Sequence, residues 1–322
     1  MSGSALPGGP EATHVLVVGS ANIDLVVTLE RAPAAGETVV GEGFATHFGG
    51  KGANQAVMAR RLGGRVELVG CLGDDVHGRL TRDELGRLGV GLEHVRAVAG
   101  EPTGVAQIQV EPDGTNRIVV VPGANARLRP DDAAEAVRDA RPAVVVAQFE
   151  VPQSAILAAF AAARAVGATT VLNPAPAMRP EPGLLGLTDW LVPNETEFAL
   201  LSGAPMGSVE DDALVAFARA EALGLVVTLG ERGVVLVDLA DGAEGSATPQ
   251  RIGAPVVDAV DTTGAGDAFV GAFAVGLAAG RSAAAAARVA IACAAESVTR
   301  PGAQASYPAP PRARELWDVT DV

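Results

Sequence analysis

AVVVAQFE (143–150), PQSAILAAFAAARAVG (152–167) and TTVLNPAP (169–176) follow one another with a single residue between each. The first and third are apolar runs of strand length. The second is longer and repeats its apolar residues at helical spacing, so the trio reads strand, helix, strand. The rhythm continues on both sides. DDAAEAVRDA (131–140) precedes the first run as a helix. DWLVPN (189–194) leads as a strand into the helix ETEFALLSG (195–203), and DDALVAFARAEALG (211–224) leads into the strand LVVTLG (225–230). Strands alternating with helices of about 10–15 residues predict βαβ units and a mostly parallel sheet covered on both faces. The fold class expected is therefore a three-layer α/β/α sandwich.

The first 130 residues fit that rhythm less evenly. HVLVVG (14–19) reads as a buried strand, ANQAVMARRLGG (53–64) and VHGRLTRDELGRLG (76–89) as helices, and VELVGCLG (66–73) as the strand between them. DLVVTLERAPAAGETVVGEGF (24–44) has Pro and Gly spacing that suits short antiparallel strands, and TGVAQIQVEPDGTNRIVVVPGAN (103–125) reads as a hairpin turning at PDGTN. These two stretches are expected to leave the sheet together as a small antiparallel flap, a discontinuous lid over about 24–48 and 101–121. No linker divides residues 13–322. The opening MSGSALPGGPEAT lacks the basic start and apolar run of a signal peptide, and residues 1–12 are expected to form a loose tail.

Composition narrows the function. The chain has 322 residues, 48% of them hydrophobic, and a formal net charge of −14, which argues against a nucleic-acid groove. No apolar stretch is long enough to span a membrane. Cys71 and Cys293 lie far apart in apolar company and read as two reduced, buried thiols of a cytoplasmic protein. Lysine and arginine total 24, yet only Lys51 is a lysine, and asparagines number six. In a chain so biased, a surface lysine would easily have become arginine, so Lys51 in GGKGANQ, Asn22 in GSANID and Asn194 in PNETE stand out.

DTTGAGDAF (261–269) carries the sharpest chemical signal. Gly264, Ala265 and Gly266 stand where a loop becomes a helix, and Asp267 follows just inside. The first turn of a helix has unpartnered N–H groups at the positive end of its dipole, and small residues let an anion approach them. Asp267 can then reach whatever the anion reacts with. That suits phosphoryl transfer to an alcohol, with Asp267 taking the hydroxyl proton while the amides hold the developing charge. An ordinary acidic residue in a first helical turn would give the same pattern. FGGKGAN (48–54) is a second glycine loop opening a helix. It is not a Walker A loop, because Gly52 stands where the magnesium-binding Ser or Thr would be. It brings one cation and an amide side chain to one point, as a polyhydroxylated substrate beside a phosphate requires. Asn22 and Asp24 follow the first strand, and Glu150 ends another, where α/β sheets bind ligands. Asp24 suits two adjacent hydroxyls, or is a solvated turn residue. Asn194 and Glu197 open a helix, as an N-cap and first-turn acid or as organisers of magnesium through water. DTTGAGD and VTRPGAQAS contain no lysine that would fix the two loops from within.

GSANIDLV, FGGKGANQA, NPAPA, PNETE, TLGERG, DTTGAGDAFVGAF and VTRPGAQASYP occur in this order. Together they resemble the ribokinase-like family of carbohydrate kinases, which also holds fructokinases and adenosine kinase, from about residue 14 to 308. The resemblance implies a β-sheet lid, transfer of the ATP γ-phosphate to O5 of D-ribose, a requirement for magnesium, and activation by potassium. The alternatives are a kinase for another small sugar or a nucleoside and a sugar-binding regulator without catalysis. Lid strands with an apolar face often pair between two chains, so a homodimer through the lid is expected. The resemblance implies Asp267 as the base, with Gly264, Ala265 and Gly266 as the anion hole. Asn22, Ile23, Asp24, Gly50, Lys51, Gly52, Ala53, Asn54 and Glu150 would hold the sugar. Asn194, Thr228, Leu229, Gly230, Glu231, Arg232, Gly233 and Gly266 would lie along ATP, with Ile291 at a position on the adenine side that is often histidine or asparagine. Glu197 would support magnesium. Potassium would lie between Asp261, the Thr263 carbonyl and the loop holding Ser297, Arg300, Gly302 and Ser306. Tyr307, the only tyrosine, has no role in this scheme.

Overall fold

The computed structural model describes residues 13–207, 209–239 and 247–319; the tail expected over 1–12 lies outside them. Nine strands form the main sheet. In chain order they are β1 (His14–Val18), β4 (Arg65–Gly73), β5 (Gly91–Val98), β8 (Val144–Gln148), β9 (Thr169–Asn173), β10 (Trp190–Leu191), β11 (Gly224–Thr228), β12 (Val234–Val237) and β13 (Gln250–Ile252). Their spatial order is β13-β12-β11-β10-β9-β8-β1-β4-β5. Pairing is parallel from β5 through β11 and antiparallel for β12 and β13. The remaining strands, β2 (Asn22–Thr28), β3 (Gly43–Gly49), β6 (Gly104–Val110) and β7 (Asn116–Val121), make a second sheet in the order β3-β2-β6-β7.

Nine α-helices lie among the described residues: α1 (Lys51–Arg61), α2 (Val76–Arg87), α3 (Pro130–Ala140), α4 (Gln153–Val166), α5 (Glu195–Ser202), α6 (Asp211–Glu221), α7 (Ala265–Ala278), α8 (Ala283–Ser297) and α9 (Pro310–Val319). They cover both faces of the main sheet, and the strand sequences say why. In β1, Val15 and Val17 pack into the core layer shared with α1, α7 and α8, while Leu16 and Val18 pack into the opposite layer with α3 and α4. Val144 and Val146 of β8 face the first layer, Val145 and Ala147 the second. With a side-chain period of two and both faces buried, every position must be apolar, hence the unbroken runs. Cys71 and Cys293 are free and buried in these layers.

Three features differ from the sequence reading. The strand expected over 189–194 is regular only at Trp190–Leu191. β5 carries no clear strand signal, because Glu93, His94 and Arg96 interrupt its apolar pattern. The smaller sheet is mixed: β2 pairs antiparallel with β3, and β6 with β7, but β2 and β6 run parallel. The reason is their origin. β2 follows β1 and β6 follows β5, and β1 and β5 run parallel in the main sheet, so both leave its carboxyl end in the same direction. The hairpin at 111–115 is as expected, closed by the Glu111 N–H donating to the Thr115 carbonyl at 2.9 Å.

Candidate active site

The site gathers at the carboxyl ends of the parallel strands, beside β1, from which the chain builds outward first through β4 and later through β8. Such a reversal of strand order opens a crevice between neighbouring loops. Gly264 caps α7 at φ 76°, a left-handed conformation, and Asp267 lies in the first turn, buried. The Ala265 amide donates to the Thr262 carbonyl at 3.2 Å. No carbonyl among the described residues accepts from Gly266 or Asp267, so the free amides at this helix start include theirs.

Both oxygens of Asp267 are held. Oδ2 accepts from Asn54 Nδ2 at 2.9 Å and Oδ1 from Gln55 Nε2 at 3.0 Å. Asn54 and Gln55 are successive residues of α1, buried against α7. Gln55 Oε1 in turn accepts from Gln148 Nε2 at 2.6 Å. Burial pushes the Asp267 carboxyl up from its ordinary range, opposed by the Lys51 charge and the two amides, and Glu150 adds to the rise.

Lys51 opens α1 behind Gly50, whose φ is 88°. A Cβ on Gly50 would meet the Ala21 and Asn22 backbone at 2.7 Å, and one on Gly52 the Ser20 nitrogen at 2.6 Å. The glycines of this loop therefore serve close packing against the segment after β1. For Lys51, burial is the largest influence and lowers its pKa. The fields of Asp267, Glu150 and Glu197 together outweigh it, and the net shift is upward. The lysine is a fixed cation among three acids.

Glu150 Oε2 accepts from the Lys51 N–H at 3.0 Å and from Ser20 Oγ at 2.5 Å. Asn22 is buried, its Oδ1 accepting from Asn125 Nδ2 at 2.7 Å. Asp24 on β2 faces the same region. Its pKa is pushed up to about 7, first by burial and then by Glu150 and Asp267. A Cβ on Gly49 would lie 2.2 Å from the Asp24 carboxylate, so glycine there is a space requirement. Ile23 is buried, as are Ala53 and Gly52 of α1.

Asn194 and Glu197 form a capping box at the start of α5. Asn194 Oδ1 accepts from the Glu197 N–H at 2.8 Å, and Glu197 Oε2 accepts from the Asn194 N–H at 2.8 Å. The local role is thus met. Both also line a cleft of about 120 Å³ with Lys51, Thr228, Gly264, Gly266 and Asp267. Burial raises the Glu197 pKa, opposed by the Asn194 N–H and Lys51. Thr228 ends β11 and bridges to Asn194; Leu229, Gly230, Glu231, Arg232 and Gly233 continue from it, with Arg232 paired to Glu195 at 2.5 Å. Ile291 is buried in the core face of α8. A larger groove, about 670 Å³, opens at the opposite end of the strands, where Arg65 and His94 face Glu67; it contains none of the converging groups.

The Asp261 and 298–308 loops meet directly. Asp261 Oδ1 accepts from the Thr263 N–H, and Oδ2 from the Gly302 N–H at 2.7 Å. Arg300 Nη2 donates to the Ser306 carbonyl at 2.8 Å, and Tyr307 Oη to the Gly264 carbonyl at 3.0 Å. The two loops are therefore fixed from within by Arg300, Tyr307 and Asp261, contrary to the expectation drawn from their lack of lysine. Ser297 and Ser306 donate their hydroxyls to Ala294 and Ala303.

Gln55, Gln148, Asn125, Asn173 and Gln304 are site residues that the sequence reading did not single out. Asn173 carried a signal, as the polar end of a strand in NPAPA.

The model of the pfkB family carbohydrate kinases matches residues 12–310. A ribokinase of Arabidopsis thaliana is 39% identical over 307 residues, covering 92% of this chain and 79% of that protein. A deoxyribokinase of Salmonella typhi is 35% identical, covering 91% and 95%. The solved structure of Arabidopsis thaliana ribokinase complexed with ribose and ATP superposes with a TM-score of 0.85 at 37% identity, covering 94% of this chain and 98% of that one. With a buried aspartate at a small-residue helix start, a lone lysine beside it and this match along most of its length, the chain belongs to the pfkB family of carbohydrate kinases.

Proposed function

We propose that the protein transfers the γ-phosphoryl group of ATP to O5 of D-ribose, giving D-ribose 5-phosphate and ADP. The observation that carries this reading is the placing of Asp267, held by Asn54 and Gln55, at the free amides that open α7 and beside Lys51. Asp24, Asn22, Glu150 and the Gly50–Asn54 loop hold the sugar, its hydroxyls donating to the two carboxylates. Asp267 takes the O5 proton as O5 attacks phosphorus. The helix-start amides, with Gly266 at their centre, and the Lys51 ammonium stabilise the charge on the transferring group. Asn194 and the Thr228–Gly233 segment lie along the nucleotide, and Ile291, buried in the core face of α8, supplies no hydrogen-bonding side chain for adenine.

Among the described residues no three or more His, Cys, Asp or Glu group together as a metal site. Glu197 spends one acceptor position of each oxygen on Asn194 and keeps others for magnesium-bound water. Magnesium, when bound, would neutralise charge on the ATP phosphates. Potassium would be held by Asp261, the Thr263, Arg300 and Gly302 carbonyls, and the lone pairs that the Ser297 and Ser306 hydroxyls keep. The loops are already tied, so its effect falls on turnover more than on stability.

The small sheet serves as a lid over the sugar. It also leaves Ile118, Val119, Val120 and Val121 of β7 exposed together, which supports a homodimer formed through it. No described helix is long and apolar enough to cross a membrane. Two free buried thiols and ATP as substrate support a cytoplasmic location.

ADP release from ATP with ribose, 2-deoxyribose, fructose and adenosine tests the reading, with potassium exchanged for tetramethylammonium at constant ionic strength. Ribose should give the highest kcat/KM, and potassium should raise kcat. The likeness to a deoxyribokinase supports a second reading, in which 2-deoxyribose is the better substrate. Turnover of none of the sugars would overturn both, and equal rates across the cation exchange would remove the potassium site.

A further inference from the structure

Tyr307 and Gln304 lie in the loop after α8 and are buried, yet neither touches the cleft. Each reaches one half of the chemistry from behind. Gln304 Nε2 donates to Asn54 Oδ1 at 3.0 Å, and Asn54 Nδ2 donates to Asp267 Oδ2 at 2.9 Å. Tyr307 Oη donates to the carbonyl of Gly264, the residue whose left-handed turn aims the amides of α7. The loop is itself fastened to α1. Arg61 donates to the Gln304 carbonyl at 2.9 Å and to the carbonyl of Tyr307. One short segment is thus anchored to the helix that carries Lys51, Asn54 and Gln55, and it bonds to both the base and the helix start.

We propose that Gly302–Tyr307 is a two-armed positioning loop: Gln304 aims Asp267 through Asn54, and Tyr307 aims the anion hole through Gly264. The proposal rests on the reading of Asp267 as base and of the α7 amides as the phosphoryl site.

The Gln304 arm works because a carboxamide has two ends of nearly equal shape and opposite polarity. Asn54 must present its NH₂ to Asp267; turned over, it would set oxygen against carboxylate. Donation from Gln304 to Asn54 Oδ1 excludes the turned state. Gln304 Oε1, meanwhile, is buried without a partner among the described residues. Such an orphan is unfavourable. It persists because flipping Gln304 would bring two amide oxygens face to face at Asn54.

The Tyr307 arm acts on direction. A Cβ on Gly264 would meet Ala303 Cβ at 2.7 Å and Tyr307 Oη at 2.9 Å, so the loop is packed hard against this turn. The Gly264 carbonyl also accepts from the Ala268 N–H at 2.8 Å. Removing the hydroxyl therefore strands no buried acceptor, and Tyr307→Phe is a clean deletion. Neither arm contacts the groups assigned to the sugar or nucleotide in their ground states except through Asn54 and Gly264. The Tyr307 arm should therefore favour the transition state and leave substrate affinity alone, whereas the Gln304 arm, acting through a residue assigned to the sugar, should move ribose KM together with kcat and leave the nucleotide untouched.

The test uses the full chain with Tyr307→Phe, Gln304→Met and Asp267→Asn. Measured are kcat, both KM values, the Kd of ADP, the melting midpoint, and the affinity for aluminium fluoride in the presence of ADP, magnesium and ribose. That fluoride is the probe of the phosphoryl position. Tyr307→Phe and Gln304→Met should each lower kcat by between ~10- and ~10²-fold, the scale of a small misplacement of reacting groups. In Tyr307→Phe both KM values should stay within about twofold, in Gln304→Met the KM for ATP should do so, and in both the ADP Kd should too. Tyr307→Phe should also weaken fluoride capture by the factor it takes from kcat. Wild-type kcat or wild-type fluoride capture in Tyr307→Phe overturns the hole arm, and wild-type kcat in Gln304→Met overturns the base arm. Loss of ADP affinity and melting midpoint in step with kcat assigns the loop a merely structural role and overturns both. Asp267→Asn separates the premise: if it keeps full turnover, the base reading falls and takes the Gln304 arm with it, while fluoride capture still judges Tyr307.

Discussion

Asp267 is burdened by its surroundings in opposite directions, and that balance suits a base. Burial favours its neutral form; Lys51 and two amide donors favour the ion. Asp267→Asn keeps the shape and removes the acceptor, so kcat should fall by ~10²–10⁴-fold with ribose affinity nearly intact. Single-turnover phosphorylation at saturating ribose measures this, and a loss below about fivefold would remove Asp267 as the base. Asp24 makes a different prediction. Its pKa of about 7 belongs to the sugar-free protein. If Asp24 holds the sugar as proposed, hydroxyls donate to the ionised carboxylate, so binding should favour the deprotonated form and release a proton. Ribose affinity should rise with pH up to about 7 and then level off, losing up to ~10-fold per unit on the acid side. Calorimetry at pH 6 and 8, in buffers of different ionisation enthalpy, reads the proton release directly. Asp24→Asn should flatten the profile, and an unflattened profile would place the titration elsewhere. For folding the sign is opposite. The folded chain holds at Asp24 a proton that the unfolded chain releases near pH 4, so this group's contribution to stability declines as pH rises from about 4 to about 7.

At the scale of elements, the start of α7 separates stability from catalysis. Gly264 has φ 76° and the Ala303 side chain against it, whereas a Cβ on Gly266 would have nothing within 4 Å. Gly264→Ala must force a left-handed alanine, about 1–2 kcal/mol, and must also displace the loop. Gly266→Ala should be neutral or slightly stabilising, because alanine in a helix is favoured over glycine by about 0.5–1 kcal/mol. Its methyl would nevertheless project into the space proposed for the phosphoryl group. Scanning calorimetry should show a lowered midpoint for Gly264→Ala only, while both variants lose turnover, Gly266→Ala by ~10²-fold. A fully active Gly266→Ala would show that the anion lies elsewhere. The α5 start offers a comparison: Asn194 and Glu197 are a structural cap and cleft residues at once, so their substitution confounds the two effects.

For the whole molecule, the smaller sheet carries an exposed apolar surface. Four successive apolar residues on an edge strand, with Phe44 exposed on the opposite edge, offer both unpaired backbone and apolar area. Sedimentation equilibrium at micromolar protein should give a dimer, and Val119→Glu, which sets like charges together across a twofold contact, should give monomers with raised KM for ribose. A monomeric wild-type protein would remove the lid contact.

The alternation of apolar runs and helical stretches was enough to specify a parallel sheet covered on both faces, because strand and helix periods are written in neighbouring residues. The same holds for Gly264–Asp267 and Gly50–Asn54, where the chain places small residues with an acid or a cation within one turn. What surrounds them was decided only in three dimensions. Gln148 reaches Gln55 across 93 positions, and Gln304 reaches Asn54 across 250. A buried amide leaves no local pattern to mark its partner. Tyr307 reads as an isolated aromatic until its hydroxyl is found at Gly264, and β2 and β6 pair in parallel because two distant strands leave the main sheet side by side. Local periodicity fixes what each segment is; which segments meet depends on chain crossovers whose contacts no short stretch encodes.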